Sequence, residues 1–145
     1  MNLSEHFTLS EFTRSSTATA RGIDNTPSEA VITNLRTLCR EVLEPLRRHL
    51  DQPVIISSGY RCPSLNKVVG GVRNSQHMKG EAADLRIPSV SEGREWMEWI
   101  IDNLAFDQCI MEHRKNKDGT TTHWIHVSYS PIHNRQCVIS NIWKR

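Results

Sequence analysis

A histidine and an aspartate, His77 and Asp84, stand seven residues apart in a segment, 75–84, that also contains a glycine and two alanines. Imidazole nitrogens and carboxylate oxygens are common ligands of zinc in proteins. A second histidine-containing segment, residues 123–128, lies further along the chain and can supply the third protein ligand of a catalytic site. Three protein ligands leave the fourth position of a tetrahedral zinc to a water molecule that attacks the substrate. The two segments together predict a zinc hydrolase.

The residues around these histidines favour a metal site over isolated surface imidazoles. Alternate side chains of an extended strand point to opposite faces, so Trp124, His126 and Ser128 share one face. Asp84 stands at the start of another predicted strand, where small neighbours leave room for a metal. Seven histidines are present, and a single histidine is more often a surface or hydrogen-bonded core residue than a ligand. The joint pattern is more specific than either histidine alone.

Helical and extended patterns follow one another in an order typical of an α+β fold. Residues 1–26 predict an N-terminal arm that packs on the domain. A capping pattern beginning at Thr26 predicts a helix that reaches about Leu50 and is interrupted at Pro45. Further helices are predicted over 64–69 and 91–103, and strands over 53–58, 85–87, 107–112, 123–129 and 136–142. We expect a single domain, residues 1–145, with N-terminal helices packed on an antiparallel sheet.

The composition limits the classes of protein that fit this chain. Its 145 residues, 37% of them hydrophobic and 23% charged, can bury a core without disulfides or oligomerisation, so we expect a monomer. The net charge of +2, from 18 basic and 16 acidic residues, is too small to predict nucleic-acid binding. The four cysteines form no C-x-x-C pair, so neither a zinc knuckle nor a thioredoxin-like redox site is expected.

The N-terminus predicts a protein that is cytoplasmic as encoded. Residues 1–7 lack the basic start and the apolar run of a secretory signal peptide. No stretch of about 18 consecutive apolar residues predicts a transmembrane segment. A substrate outside the membrane would therefore be reached by release or export. The mildly basic composition is compatible with an anionic polymer such as a bacterial wall.

Three motifs resemble the zinc peptidase family that groups D-Ala-D-Ala carboxypeptidases with phage endolysins on the Hedgehog/DD-peptidase fold. Residues 57–61 are similar to the S-G-Y-R segment of that family. Residues 75–84 match S-x-H-x-x-G-x-A-x-D, and residues 124–128 match W-x-H-x-S. The resemblance extends from about Phe7 to the final strand, and it is closest to the zinc D-Ala-D-Ala carboxypeptidase branch.

The resemblance implies a role for each polar residue of the motifs. Arg61 would hold the substrate carboxylate or a carbonyl through its planar guanidinium group. Ser75 and Gln76 would hydrogen-bond the peptide or support the site. The implied ligands of one zinc ion per chain are His77, Asp84 and His126.

The general base is the one role that the motifs leave open. Several related enzymes carry a carboxylate three residues before the last histidine, where this chain has His123. Glu112 resembles the acidic residue of a D-Q-x-I-x-E segment in the carboxypeptidase branch, and a hairpin would bring it beside His126. His123 can also accept a proton or stabilise an oxyanion, but an extended strand would point it away from His126. We prefer Glu112 and keep His123 as the alternative.

The sequence thus predicts a zinc metallopeptidase, a hydrolase of peptide bonds in the stem peptides of bacterial cell-wall peptidoglycan. Both a carboxypeptidase and an endopeptidase fit the motifs, and a phage endolysin-like role in lysis is one setting for either. The alternative is a wall-peptide binding module of the same fold that keeps zinc but has lost catalysis. That alternative rests on His123, which replaces the expected carboxylate.

Overall fold

The computed structural model describes residues 1–139, which form six α-helices and one five-stranded sheet. The helices are α1 (Leu9–Thr13), α2 (Ser16–Arg21), α3 (Glu29–Leu38), α4 (Glu44–Leu50), α5 (Pro63–Val68) and α6 (Val90–Asn103). The strands are β1 (Ile56–Ser58), β2 (Ala82–Arg86), β3 (Gln108–Lys115), β4 (Thr121–Ser128) and β5 (Cys137–Ile139). The predicted α+β fold class is confirmed. Within residues 1–139, no helix has the length and apolar character needed to cross a membrane.

The sheet is mixed, whereas the sequence predicted an antiparallel sheet. Its strand order is β1-β2-β4-β3-β5, and β5 runs parallel to β3. β4 ends beside the beginning of β3, since Val127 pairs with Cys109. A strand that follows on the far side of β3 after a short connection must therefore run in the same direction as β3. The Arg135 guanidinium holds this connection through two hydrogen bonds to the Asp107 carboxylate. Of the predicted strand 136–142, residues 140–142 lie outside the described residues.

The two faces of the sheet have different chemistry. Leu85, Ile125 and Val127 lie on one face, which belongs to the hydrophobic core, and are 0% exposed. The buried apolar side chains of α3, α4 and α6 pack in the same core. Alternate residues of the same strands point to the other face, and Asp84 and His126 are among them. We call this second side the ligand face.

The long predicted helix is divided into two helices. Its first residue is Glu29 and not Pro27, because Ser28, and not Thr26, is the cap and accepts a hydrogen bond from an amide of the first turn. A π-helical turn, Cys39–Leu43, separates α3 from α4. Pro45 in the first turn of α4 has no N–H with which to continue the α-helical hydrogen bonds. The interruption predicted at Pro45 thus takes the form of a wider turn just before it.

The N-terminal arm packs into the same core as the rest of the chain. Phe7 and Phe12 are at most 1% exposed. Glu44 of α4, which is 2% exposed, accepts hydrogen bonds from Ser4 and His6 of the arm. Burial alone would raise the pKa of Glu44, but the hydrogen bonds from His6 and Ser4 lower it below its usual value. Apolar burial and a buried carboxylate both anchor the arm, while the division into an arm and a domain stays a prediction.

Gly80 allows the segment that carries His77 to approach α3 closely. It ends a 3-10 turn, Gln76–Lys79, with a φ of 74°, a left-handed conformation that favours glycine. A Cβ atom at this position would lie 2.7 Å from the carbonyl oxygen of Val31 in α3. Both the backbone conformation and the available space therefore require a glycine here.

The variant Gly80→Ala is expected to lower the free energy of unfolding by about 2–4 kcal/mol, because backbone strain and steric overlap add. The matched control is Gly22→Ala, where φ is 64° but nothing lies within 4 Å of the added Cβ. The control should lose only about 1–2 kcal/mol from backbone strain. Urea unfolding of both variants measures the difference, and equal losses would show that the contact with α3 imposes no constraint.

Candidate metal centre

Three potential ligand atoms converge on the ligand face of the sheet. His77 Nε2 lies 3.2 Å, and His126 Nδ1 3.0 Å, from the same oxygen, Oδ1 of Asp84. His77, His126 and Asp84 are 2%, 8% and 9% exposed, so the group is nearly closed to solvent. The structure thus brings together all three residues that the sequence predicted as zinc ligands.

Neighbouring strands place Asp84 and His126 side by side. Asp84 in β2 pairs directly with His126 in β4. The next pair along the same strands is Leu85 with Ile125, and both of these residues must face the core. A slip of one residue would turn the apolar pair to the ligand face and the polar pair into the core. Burial of the apolar residues therefore fixes the position of both potential ligands.

A capped turn and a backbone carbonyl fix His77. The Ser75 hydroxyl accepts a hydrogen bond from the His77 amide and caps the turn that Gly80 ends. The Nδ1–H of His77 donates to the carbonyl oxygen of Gly59 over 2.7 Å. A carbonyl oxygen only accepts, so this bond assigns the proton of the neutral imidazole to Nδ1. The lone pair on Nε2 is then directed toward Asp84.

The donor set fits a zinc ion. A neutral His77 has no proton on Nε2 to share with Asp84, so a cation between the two groups would satisfy both. Ligand atoms bound tetrahedrally to zinc stand roughly 3.3–3.6 Å apart, a few tenths of an ångström more than the separations here. Burial alone would raise the pKa of Asp84, but the hydrogen bond from His126 acts in the opposite direction, and the pKa lies well below its usual range. Asp84 is therefore ionised at neutral pH and available as a ligand.

Arg61 lies beside this group with part of its guanidinium unpartnered. Its Nη2 is 3.4 Å from the Ser75 hydroxyl, and its buried Nε has no hydrogen-bond partner among residues 1–139. Burial lowers the pKa of Arg61, and the nearby carboxylates act in the opposite direction. Gln76 donates a hydrogen bond to Glu81, but its buried Oε1 also lacks a partner in the described part of the chain. Arg61 and Gln76 therefore keep free hydrogen-bonding capacity.

Strand alternation places the two candidate bases on different faces of the sheet, although His123 is also among the residues that line the cleft beside Asp84. Glu112 is on the ligand face, where its Oε1 lies 3.8 Å from His126 Nδ1. Its side chain is 38% exposed, so solvent reaches the carboxylate. His123 pairs across the strands with His113, and the centroids of the two rings are 5.9 Å apart. By strand alternation this pair points away from His126, so the geometry favours Glu112.

Two supporting residues were missed in the sequence. Trp124 donates from its indole Nε1 to Oε1 of Glu112 over 3.1 Å and so orients this carboxylate. Asn25 of the arm donates to two backbone carbonyls and accepts from the amide of Cys62, which ties the arm to the loop that carries Arg61. Trp124 could be recognised in the W-x-H-x-S motif, but its hydrogen bond to Glu112 depends on the strand register, which the sequence does not give. Asn25 stands alone in a polar segment, and no sequence pattern indicated its role.

Known proteins share these segments. The sequence model of a family described as Peptidase M15 matches residues 5–128, a range that contains the three potential ligands, Arg61 and Glu112. A zinc D-Ala-D-Ala carboxypeptidase of Streptomyces albus G is 49% identical to the chain over 35 residues. That match covers 24% of this chain and 14% of the relative. The likeness to the carboxypeptidase therefore concerns one segment and not the whole protein.

We expect one zinc ion to bind per chain, and Asp84→Asn to weaken zinc binding by at least about 100-fold. Loss of an outer-shell partner alone costs 10–100-fold, and Asp84 would be a direct ligand. Competition with a zinc-binding dye measures the affinity. His113→Ala is the control, because this exposed histidine lies outside the group and its loss should leave zinc binding unchanged. Equal affinities of Asp84→Asn and the wild-type protein would remove Asp84 from the site.

Proposed function

The chain belongs to the peptidase M15 family, whose members depend on zinc, and we propose that it hydrolyses peptide bonds of bacterial cell-wall peptides. The observation that carries this proposal is the buried group of His77, Asp84 and His126, with Glu112 and Arg61 beside it. We assign the first three residues as the zinc ligands. A zinc ion held there would supply Lewis acidity, which would lower the pKa of a bound water to near neutrality and polarise the peptide carbonyl.

Glu112 serves as the general base in this proposal. Its Oε1 lies 3.8 Å from His126 Nδ1, near enough to the ligand group to reach an attacking water molecule. The carboxylate takes the proton of that water and returns it to the amine that leaves. The hydrogen bond from Trp124 to Oε1 orients the carboxylate, which keeps further lone pairs that can accept the proton.

Arg61 binds the carboxylate at the end of the substrate. Its buried, unpartnered Nε and its neighbouring Nη offer the two parallel N–H groups that a carboxylate accepts. Ser75 supports the guanidinium through its hydroxyl, and the free Oε1 of Gln76 accepts from a substrate amide. The C-terminal residue of a peptide presents such a carboxylate next to the last peptide bond. We therefore favour carboxypeptidase activity over endopeptidase activity, which agrees with the name of the Streptomyces relative.

The second candidate is a zinc-containing module that binds wall peptides without cleaving them. It was suggested by His123, which stands where related enzymes carry a carboxylate. Glu112 supplies a carboxylate to the same centre from the neighbouring strand, so loss of catalysis does not follow from that replacement.

The proposed activity is tested with a synthetic pentapeptide ending in D-Ala-D-Ala and with purified peptidoglycan. Mass spectrometry should detect released D-alanine, a chelator should abolish the release, and added zinc should restore it. Cleavage only at internal bonds would assign an endopeptidase. Bound zinc without cleavage of either substrate would contradict the enzyme and support the binding module.

Glu112→Gln is expected to keep zinc but to lower kcat by at least about 100-fold, since an amide cannot accept the proton. His123→Gln is the matched variant on the other face and should retain close to the wild-type kcat. Zinc content and kcat are measured for both proteins on the same peptide. A normal kcat in Glu112→Gln together with loss of activity in His123→Gln would assign the base to His123.

A further inference from the structure

A cleft of about 720 Å³ extends from Asp84 along the ligand face of the sheet. The arginines that line it are Arg14, Arg61, Arg86 and Arg114. Asp84 is the one acidic residue among the described residues that line it. The cleft is therefore strongly cationic, although the whole chain carries a net charge of only +2.

The strand register gives the positions of two of these arginines relative to the ligand group. Arg86 in β2 pairs with Trp124, which lies two residues from His126 along β4. Arg114 in β3 pairs with Thr122, which lies four residues from His126. At about 3.4 Å per residue, the positions of Arg86 and Arg114 lie about 7 and 14 Å from His126, measured along the strands. The two guanidinium groups thus flank a path that leads away from the ligand group.

Both arginines are free to bind an anion. Arg86 and Arg114 are exposed, and neither forms an ion pair with a carboxylate of residues 1–139. The Arg114 guanidinium lies 5.7 Å from the ring centroid of Trp124, a cation–π contact that positions it without using its N–H groups. Arg14 adds a third charge from the arm. Uncompensated guanidinium groups in a cleft attract and orient carboxylates.

We propose that Arg86 and Arg114 select peptides that carry a carboxylate two to four residues from the cleaved bond. An extended peptide advances about 3.3–3.6 Å per residue, so residues two and four positions away lie opposite these two arginines. The inference rests on the proposed function, because it takes the cleaved bond to lie at the ligand group. It adds a second recognition step. Arg61 binds the terminal carboxylate, and Arg86 and Arg114 bind an acidic group further along the peptide.

The test uses two matched peptides, acetyl-Ala-Glu-Ala-D-Ala-D-Ala and its Gln counterpart. For binding, the last amide is replaced by a ketomethylene group that cannot be hydrolysed, and calorimetry measures the affinity for the zinc-loaded protein at low ionic strength. The Glu peptide should bind about three- to tenfold more tightly, the effect of one or two partly exposed ion pairs. High salt should reduce the preference, because it screens exposed charges.

Variants assign the preference to the two arginines. The double variant Arg86→Gln, Arg114→Gln should bind both peptides equally, whereas Arg86→Lys, Arg114→Lys keeps the charge and should retain most of the preference. Arg94→Gln removes one charge from an exposed position of α6 and should leave the preference unchanged. Equal binding of the two peptides by the wild-type protein, or a preference that survives in the Gln double variant, would overturn the proposal. Failure of both peptides to bind would also overturn it.

Hydrolysis of the two normal peptides separates this proposal from the proposed function. If both are cleaved with the same kcat/KM and their analogues bind equally, the activity stands and the selection by Arg86 and Arg114 fails. If neither is cleaved while the preference for Glu is present and lost in the Gln double variant, the carboxylate selection stands and the proposed activity fails.

Discussion

A buried carboxylate shared by two imidazoles is the interaction on which the rest of this structure depends. Asp84 is 9% exposed and ionised, and an uncompensated charge at such a depth would cost several kcal/mol. His126 lies within hydrogen-bonding distance of one oxygen of this carboxylate, and Nε2 of His77 approaches the same oxygen without a proton to donate. The Gly59 carbonyl accepts the proton on Nδ1 of His77, so the lone pair on Nε2 points toward Asp84. This arrangement suits the group to a metal cation. Zinc would therefore stabilise the folded chain as well as supply its chemistry.

Because side chains alternate between the two faces of each strand, packing of the core determines the position of the site residues. The apolar side of β2, β3 and β4 packs in the core, and the same residue spacing presents Asp84, His126 and Glu112 on the ligand face. The two strand arginines continue this row into the cleft. The ligand group, the proposed base Glu112 and the cationic path are thus all positioned by the burial of apolar side chains on the opposite face. A shift of one residue in strand pairing would disrupt all of them together.

The sequence predicted those parts of the site that local chemistry determines. Ser75 caps a turn, Gly80 adopts the left-handed conformation that ends it, and Asp84 lies in the strand that follows, so the motif could be recognised without tertiary information. The parts that it could not determine depend on register. The choice between Glu112 and His123 required knowing which face each residue occupies. The direction of β5 depended on the edge of the sheet at which β4 ends, a long-range property that no local pattern encodes.

Diffraction from crystals grown with zinc, recorded on both sides of the zinc absorption edge, tests the central claim most directly. The account predicts one anomalous peak per chain, within about 2.0–2.2 Å of His77 Nε2, Asp84 Oδ1 and His126 Nδ1. Glu112 should lie on the open side of that peak, close enough to contact a water molecule bound there. A peak at another group of residues, or none at these three side chains in crystals that contain zinc, would contradict the account.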